Sequence, residues 1–239
     1  MKGLLSVVLG ETRLLRILLI ATALAVLLCP AYAEDAAKPA PCPIRDFFRE
    51  AVGEWVGICK QSTDEEPTDD KYFHAAIRET DPTKFEAKFE YFRVDAAGIL
   101  VRIGSSSVAA TISSDCTATT SVTGTGEMLV DKKTKKQEHA LTENLIATGQ
   151  GSIEARGTGT LKVYGMPLGL GKLGKVRDDQ SSWSLSKGTL SIHQNLSIVF
   201  RALCFSKAFK VDATYNAVRG SDVASVVPKQ PPGLSKCGG

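Results

Sequence analysis

The sequence predicts an all-β fold, in which a single antiparallel up-and-down meander of about eight to ten strands closes into a barrel after a short N-terminal helix. Runs with a two-residue period recur along the chain, and turn signals such as Asp81-Pro82 separate most of them. After residue 52 almost no segment has helical spacing. We expect a barrel rather than an open sheet, because closure removes the exposed edges of a long meander.

The first 33 residues have the pattern of a secretory signal peptide. A basic leader precedes an apolar run over 17–28, and Ala31-Tyr32-Ala33 supplies the small-x-small cleavage site. The apolar run is too short to span a bilayer. We therefore expect cleavage near Ala33 and a periplasmic or extracellular mature chain with no membrane span. Acylation at Cys29, which would make a lipoprotein, is the alternative.

A short helix is expected before the first strand. The apolar residues Ile44, Phe47, Phe48 and Ala51 fall at helical spacing, which predicts one or two turns. The segment before them is rich in proline and predicts a flexible lead-in. The expected organisation is a signal peptide over 1–33, a lead-in over 34–43, a barrel domain over 44–222 and a disordered tail over 223–239.

The strands follow from alternation of apolar and polar residues. The clearest strand is 84–91, where one face is apolar and the other is charged, as in a sheet with one buried and one solvated face. The buried face is predicted to carry Phe85, Ala87, Phe89 and Tyr91, and the solvated face Lys84, Glu86, Lys88 and Glu90. The other predicted strands are 54–61, 71–79, 98–103, 108–113, 119–130, 138–148, 152–164, 182–193, 196–205 and 208–218.

Charge excludes one class of partner. The leader contributes three of the 29 basic residues and one of the 26 acidic residues, so the mature chain is nearly neutral. It has no basic stripe of the kind that binds nucleic acid, and we expect no nucleic-acid partner. Because an exported protein meets few intracellular cofactors, we also expect no cofactor.

The glycine-rich segment 165–175 has the four-residue gap of a phosphate-binding loop between Gly169 and Gly174-Lys175. That motif requires Ser or Thr next, and Val176 follows instead, so a nucleotide site is rejected. The segment is predicted to be a long loop folded over the barrel mouth. A mobile apolar lid carrying Leu168, Leu170 and Leu173 is the functional alternative.

Five cysteines follow the leader, namely Cys42, Cys59, Cys116, Cys204 and Cys237. In an oxidising compartment they predict up to two disulfides and one remaining thiol. The sequence leaves the pairing open, and a bridge from Cys42 to Cys237 would join the two ends of the domain.

No constellation for catalysis or metal binding stands out. The three histidines, His74, His139 and His193, lie on different predicted strands and are interpreted as surface or rim residues. No pair of carboxylates and no CxxC spacing suggests acid–base chemistry or a zinc site. We expect a protein that is not an enzyme and holds no metal.

Gly53-Glu54-Trp55 follows the predicted helix and opens the first strand. This Gly-x-Trp start resembles that of lipocalins and related calycin barrels. The resemblance implies a barrel with a cavity for a small apolar ligand, one end of which Trp55 closes. The chain departs from lipocalins in having about ten strands rather than eight and no evident C-terminal helix.

The leading hypothesis is an exported barrel that binds a small apolar or amphipathic ligand. The candidate ligand-binding residues are Trp55, Phe85, Phe89, Tyr91, Arg93 at the rim, Leu168 and Leu170. The main alternative is a structural or interaction module of the cell envelope, whose core is filled by the same aromatic side chains. An outer-membrane barrel is disfavoured, because the charged face of 84–90 would be costly against lipid.

Overall fold

The chain forms a closed barrel in the computed structural model. The structure describes residues 41–63, 69–130, 133–165, 173–201 and 206–228. The predicted signal peptide and lead-in lie outside these residues, apart from 41–43. Leu168, Leu170, Cys204 and Cys237 also lie outside them.

Ten strands form the barrel within the described residues, and each pairs antiparallel with its neighbour in sequence while β1 pairs with β10. The strands are β1 Gly53–Thr63, β2 Asp69–Asp81, β3 Lys84–Val94, β4 Leu100–Ile112, β5 Ala118–Val130, β6 Lys133–Gly149, β7 Ser152–Val163, β8 Leu173–Ser186, β9 Thr189–Arg201 and β10 Ser206–Arg219. One helix, α1, spans Pro43–Ala51. The predicted fold class is confirmed.

Several strand boundaries differ from the prediction. The runs 98–103 and 108–113 belong to one strand, β4. The run 182–193 contains a hairpin turn at Lys187-Gly188, where both residues have positive φ, of 48° and 77°. A two-residue turn of this kind usually shows Asn or Asp before the glycine, and lysine gives no such signal.

The alternation predicted for β3 is confirmed from Lys84 to Phe89, whereas Glu90 and Tyr91 are both half-buried. Phe85, Ala87 and Phe89 are buried, while Lys84, Glu86 and Lys88 are exposed. The inner residues of the other strands form two apolar clusters, one beneath α1 and one near the opposite end of the barrel.

Helix α1 closes one end of the barrel. Its apolar stripe, Ile44, Phe47, Phe48 and Ala51, is buried against the strands. The ring of Phe48 stacks on that of Phe85, with centroids 5.2 Å apart. Within the described residues, no helix is long and apolar enough to cross a membrane.

A disulfide joins Cys42, at the start of α1, to Cys116 in the turn between β4 and β5. The suggested pairing of Cys42 with Cys237 is therefore wrong, since the partner lies in the turn next to the helix. The bridge closes a loop of 74 residues, which on the chain-entropy model stabilises the fold by about 4 kcal/mol. It ties the helix to the closed end of the barrel.

The first residues after β10 have regular secondary structure. Val223–Val226 form a 3-10 helix, which Asp222 caps by accepting a hydrogen bond from the backbone of Ala224. The start of the predicted disordered tail is thus a capped turn, and residues beyond 228 lie outside the described ones.

Candidate ligand cavity in the barrel interior

A cavity of about 150 Å³ lies inside the barrel between the two apolar clusters. This volume is the space open to the centres of water molecules, of which each water needs roughly 10–15 Å³, so the cavity has room for about ten waters. At a liquid volume of about 30 Å³ per water, a ligand displacing them would occupy roughly 300 Å³. That is the lower end of the range for small-molecule sites.

Aromatic rings form one wall of the cavity. Phe89 and Tyr91 of β3 and Tyr215 of β10 line it, and Phe73 lies behind them with its ring centroid 5.6 Å from that of Tyr215. The Tyr91 hydroxyl lies 3.2 Å from Ser106 Oγ. Burial raises the pKa of Tyr91 to about 12, so its phenol stays neutral and offers hydrogen bonds to a ligand.

The end opposite α1 carries charged groups that already have partners. Lys71 Nζ donates to Gln61 Oε1 at 2.8 Å and to the carbonyl oxygen of Glu127 at 3.4 Å. Glu127 Oε2 forms an ion pair with Arg93 Nη1 at 3.1 Å, although the two atoms do not meet hydrogen-bond geometry. The basic side chains near this end are therefore engaged by acceptors of the protein itself.

Two buried carboxyl groups occupy one cross-strand row of the inner wall. Glu143 on β6 lies opposite Gly157 on β7, which lies opposite Asp179 on β8. Thr120 Oγ1 donates to Glu143 Oε2 at 2.5 Å, and Gln194 Nε2 donates to Asp179 Oδ1 at 3.1 Å. Asp179 Oδ2 is buried and accepts no hydrogen bond from the described residues.

A glycine and a β-bulge bring these carboxyl groups together. A Cβ at Gly157 would lie 2.8 Å from Glu143 Cγ, so only glycine leaves room for the Glu143 side chain over β7. In β8, Val176 pairs with Ile198 and Asp178 with Ser197, which leaves Arg177 as an extra residue. The bulge reverses the alternation of the strand and turns Asp179 inward.

The environment of the pair favours one shared proton. Burial raises the pKa of Asp179 to about 7, and the charge of Glu143 contributes to the increase. Two carboxylates in contact away from water repel each other, so the pair retains a proton near neutral pH. Burial also lowers the pKa of His139, which lines the same cavity and is thereby kept neutral.

Trp55 fills the closed end of the barrel. It is fully buried, and its Nε1 donates to the carbonyl oxygen of Ala51 at 2.8 Å. The guanidinium carbon of Arg219 lies 4.1 Å from the centroid of the Trp55 ring. Arg219 also donates to the carbonyl oxygens of Glu50 and Val52, and so connects the last strand to α1.

The predicted site residues fall into three groups. Phe89 and Tyr91 line the cavity, and Arg93 reaches its edge through Glu127. Trp55 and Phe85 belong instead to the sealed end under α1. Leu168 and Leu170 lie outside the described residues, whereas the last residues of the predicted loop, 173–175, begin β8. Contact of any of them with a ligand stays a prediction.

Sequence reasoning missed the carboxyl pair, Trp183 and His139. His139, interpreted from the sequence as a surface or rim residue, is half-buried and lines the cavity. The alternation of β6, in which His139, Leu141 and Glu143 share a face, was a usable signal for both His139 and Glu143. For Asp179 no such signal existed, since the bulge at Arg177 breaks the alternation of β8.

No protein-family model and no curated protein matches the sequence. Among solved structures, the chain is similar to Rv2717c from M. tuberculosis, with a TM-score of 0.43 and 10% identity over 73% of this chain and 97% of that one. It is also similar to the S-type phycobiliprotein lyase CPES from Guillardia theta, with a TM-score of 0.41 and 9% identity over 75% of this chain and 93% of that one. Similarities at this level carry no argument about the ligand or activity of this protein.

Proposed function

We propose that this protein is an exported barrel that binds a small amphipathic molecule in its interior and does not transform it. The observation that carries the proposal is the cavity, whose wall is apolar and aromatic over most of its surface and has a few convergent polar groups. This combination is typical of small-molecule sites. The Gly-x-Trp start and the lipocalin-like organisation it implies agree with the same function.

Export rests on the sequence of the first 33 residues and is supported by the disulfide. A bridge between Cys42 and Cys116 persists in oxidising compartments and is rare in the cytosol. We propose that cleavage near Ala33 releases the barrel into the periplasm or the extracellular medium. N-terminal sequencing of the mature protein tests this, and an acylated Cys29 at its start would show a lipoprotein instead.

Trp183 provides a direct assay of ligand entry. It is one of two tryptophans in the chain and lines the cavity, whereas Trp55 lies in the sealed end. Titration with a fatty acid, an isoprenoid alcohol and an aromatic alcohol should give a saturable fluorescence change for at least one probe, together with a higher melting temperature. Trp183→Phe should remove the fluorescence change.

Replacing either of two alanines of β10 with phenylalanine distinguishes binding in the cavity from adsorption to the surface. Ala213 lines the cavity, and Ala208 is exposed on the outer face of the same strand. Ala213→Phe should abolish the saturable response by filling the cavity, and Ala208→Phe should leave it intact. Lack of response to all three probes in the unmodified protein would favour the structural or interaction module.

A further inference from the structure

We propose that the natural ligand carries a cationic amine, that Glu143 binds this amine at the cavity wall, and that binding displaces the proton shared by Glu143 and Asp179. The inference deepens the proposed function and rests on it, because it names the ligand class that the same cavity selects.

The charged side chains of the cavity wall favour a cationic ligand over an anionic one. Besides His139, the described lining residues with an acidic or basic side chain are Lys71, Glu127 and Glu143, and Lys71 and Glu127 have Gln61 and Arg93 respectively as partners. An anionic ligand would compete with the existing acceptors of Lys71. Glu143 is the carboxyl that faces the middle of the cavity without a basic partner among the described ion pairs.

A carboxyl oxygen behind Glu143 could accept one more hydrogen bond. Asp179 is fully buried, its Oδ1 is occupied by Gln194, and its Oδ2 accepts nothing from the described residues. A buried carboxyl oxygen without a donor is costly unless a proton or a ligand supplies one. In the empty cavity, a proton shared with Glu143 satisfies this need.

Two local features of the strands, a β-bulge and a glycine, produce this arrangement of the carboxyl groups. The bulge at Arg177 turns Asp179 inward, and Gly157 leaves the space through which Glu143 passes. β-Bulges that re-aim one side chain occur preferentially beside functional sites. A purely apolar ligand would use neither feature.

An ammonium group in the cavity supplies hydrogen-bond donors to Glu143, which lines the wall, and a positive charge that also acts on Asp179 behind it. When it binds, the second carboxyl no longer needs its proton, which passes to the buffer, so the site holds one ammonium in place of one proton. Besides Glu143, the charged group that acts on Asp179 is Asp178, adjacent on β8, and His139 lies on the same face of β6 as Glu143. Asp178 adds negative charge, which also favours a cation.

The test compares 2-phenylethylamine with 2-phenylethanol, which differ in the amine alone. Both fit a cavity of this size, and the amine is cationic at pH 6 and pH 8 because alkylamines lose their proton near pH 10. Calorimetric titration of the full mature protein should show the amine binding at least tenfold more tightly than the alcohol, as expected for a charge-assisted hydrogen bond. Equal affinities would overturn the amine proposal and leave the cavity proposal standing, whereas binding of neither compound would overturn both.

Proton displacement has its own readout. The binding enthalpy at pH 6 should differ between phosphate and Bis-Tris buffers by an amount corresponding to about one released proton, and the matching comparison at pH 8 uses phosphate and Tris. The difference in binding enthalpy between buffers should be smaller at pH 8, where Glu143 and Asp179 have already lost their shared proton before the ligand binds. A binding enthalpy that is the same in both buffers at pH 6 would contradict the exchange of a proton for the amine.

Three variants locate the effect. Glu143→Gln should weaken amine binding at least tenfold and leave alcohol binding within about threefold, since only the charge is removed. Asp179→Asn should retain amine binding and lose the proton release. Glu154→Gln removes an exposed carboxylate from the outer face of β7 and should change neither quantity. Equal loss of amine and alcohol binding in Glu143→Gln would overturn the assignment of Glu143.

Discussion

Asp179 lies in an environment that is unusual for an aspartate. It is fully buried in the barrel wall, and its pKa is raised to about 7, chiefly by burial and then by Glu143. In the unfolded chain an aspartate loses its proton near pH 4. The folded protein therefore holds a proton that the unfolded chain has already released between about pH 4 and pH 7.

This difference makes stability fall as the pH rises through that window. The contribution of Asp179 is fully present below about pH 4 and is lost by about pH 7, because the native state binds more protons. Asp179→Asn removes the titration and should raise the free energy of unfolding at pH 8 by roughly 1–3 kcal/mol, with little effect at pH 4. Urea unfolding of both proteins across this range measures it, and parallel pH profiles would refute the buried pair.

Phe89 and Glu86 test which face of β3 is buried. Phe89 is buried with its ring 6.2 Å from that of Phe73, and Glu86 is exposed on the outer face. Phe89→Ala should lower the free energy of unfolding by roughly 3–5 kcal/mol, the usual cost of deleting a buried ring. Glu86→Ala should change it by less than about 0.5 kcal/mol. Similar values for the two would mean that the register of β3 is wrong.

At the scale of the strand, the sequence predicted what simple alternation encodes. β3 alternates regularly from Lys84 to Phe89, so its buried face was predictable residue by residue over that stretch. β8 was not predicted over its first half, because the glycines before Leu173 indicate a loop and the extra residue Arg177 interrupts the alternation. The carboxyl pair depends on that irregular half of β8, so it could not be predicted from the sequence.

The Cys42–Cys116 pairing was beyond sequence reasoning for a different reason. It depends on which turn of the meander meets the helix, and this is decided by the packing of α1 against the closed end. Spacing between cysteines carries no information on that packing.

Gly157 allows a test of the irregular region. An added Cβ would lie 2.3 Å from the carbonyl oxygen of Thr142 and 2.8 Å from Glu143 Cγ, whereas at Gly126, in the neighbouring wall, the nearest atom is 3.5 Å away. Gly157→Ala should therefore lower the free energy of unfolding by roughly 1–3 kcal/mol through overpacking. Gly126→Ala is the matched control and should be nearly neutral. Thermal unfolding compares them, and equal melting temperatures would show that β7 can yield without cost.

At the scale of the whole molecule, the barrel separates a sealed end from a cavity. Helix α1, the disulfide and the contact of Trp55 with Arg219 rigidify the end where the chain enters. The aromatic wall and the carboxyl pair lie farther along the interior, beyond this sealed end. A rigid scaffold around a chemically mixed interior is the arrangement expected of a binding protein, since it keeps the polar groups of the site in place before the ligand arrives.

Whether the barrel interior holds a small molecule can be measured by native mass spectrometry of the mature protein purified from its own host. We expect the mass of the chain plus one small amphipathic molecule, and the loss of that added mass in Ala213→Phe, whose ring fills the cavity. The bare chain mass in the unmodified protein, or the same added mass in Ala213→Phe, would contradict this expectation.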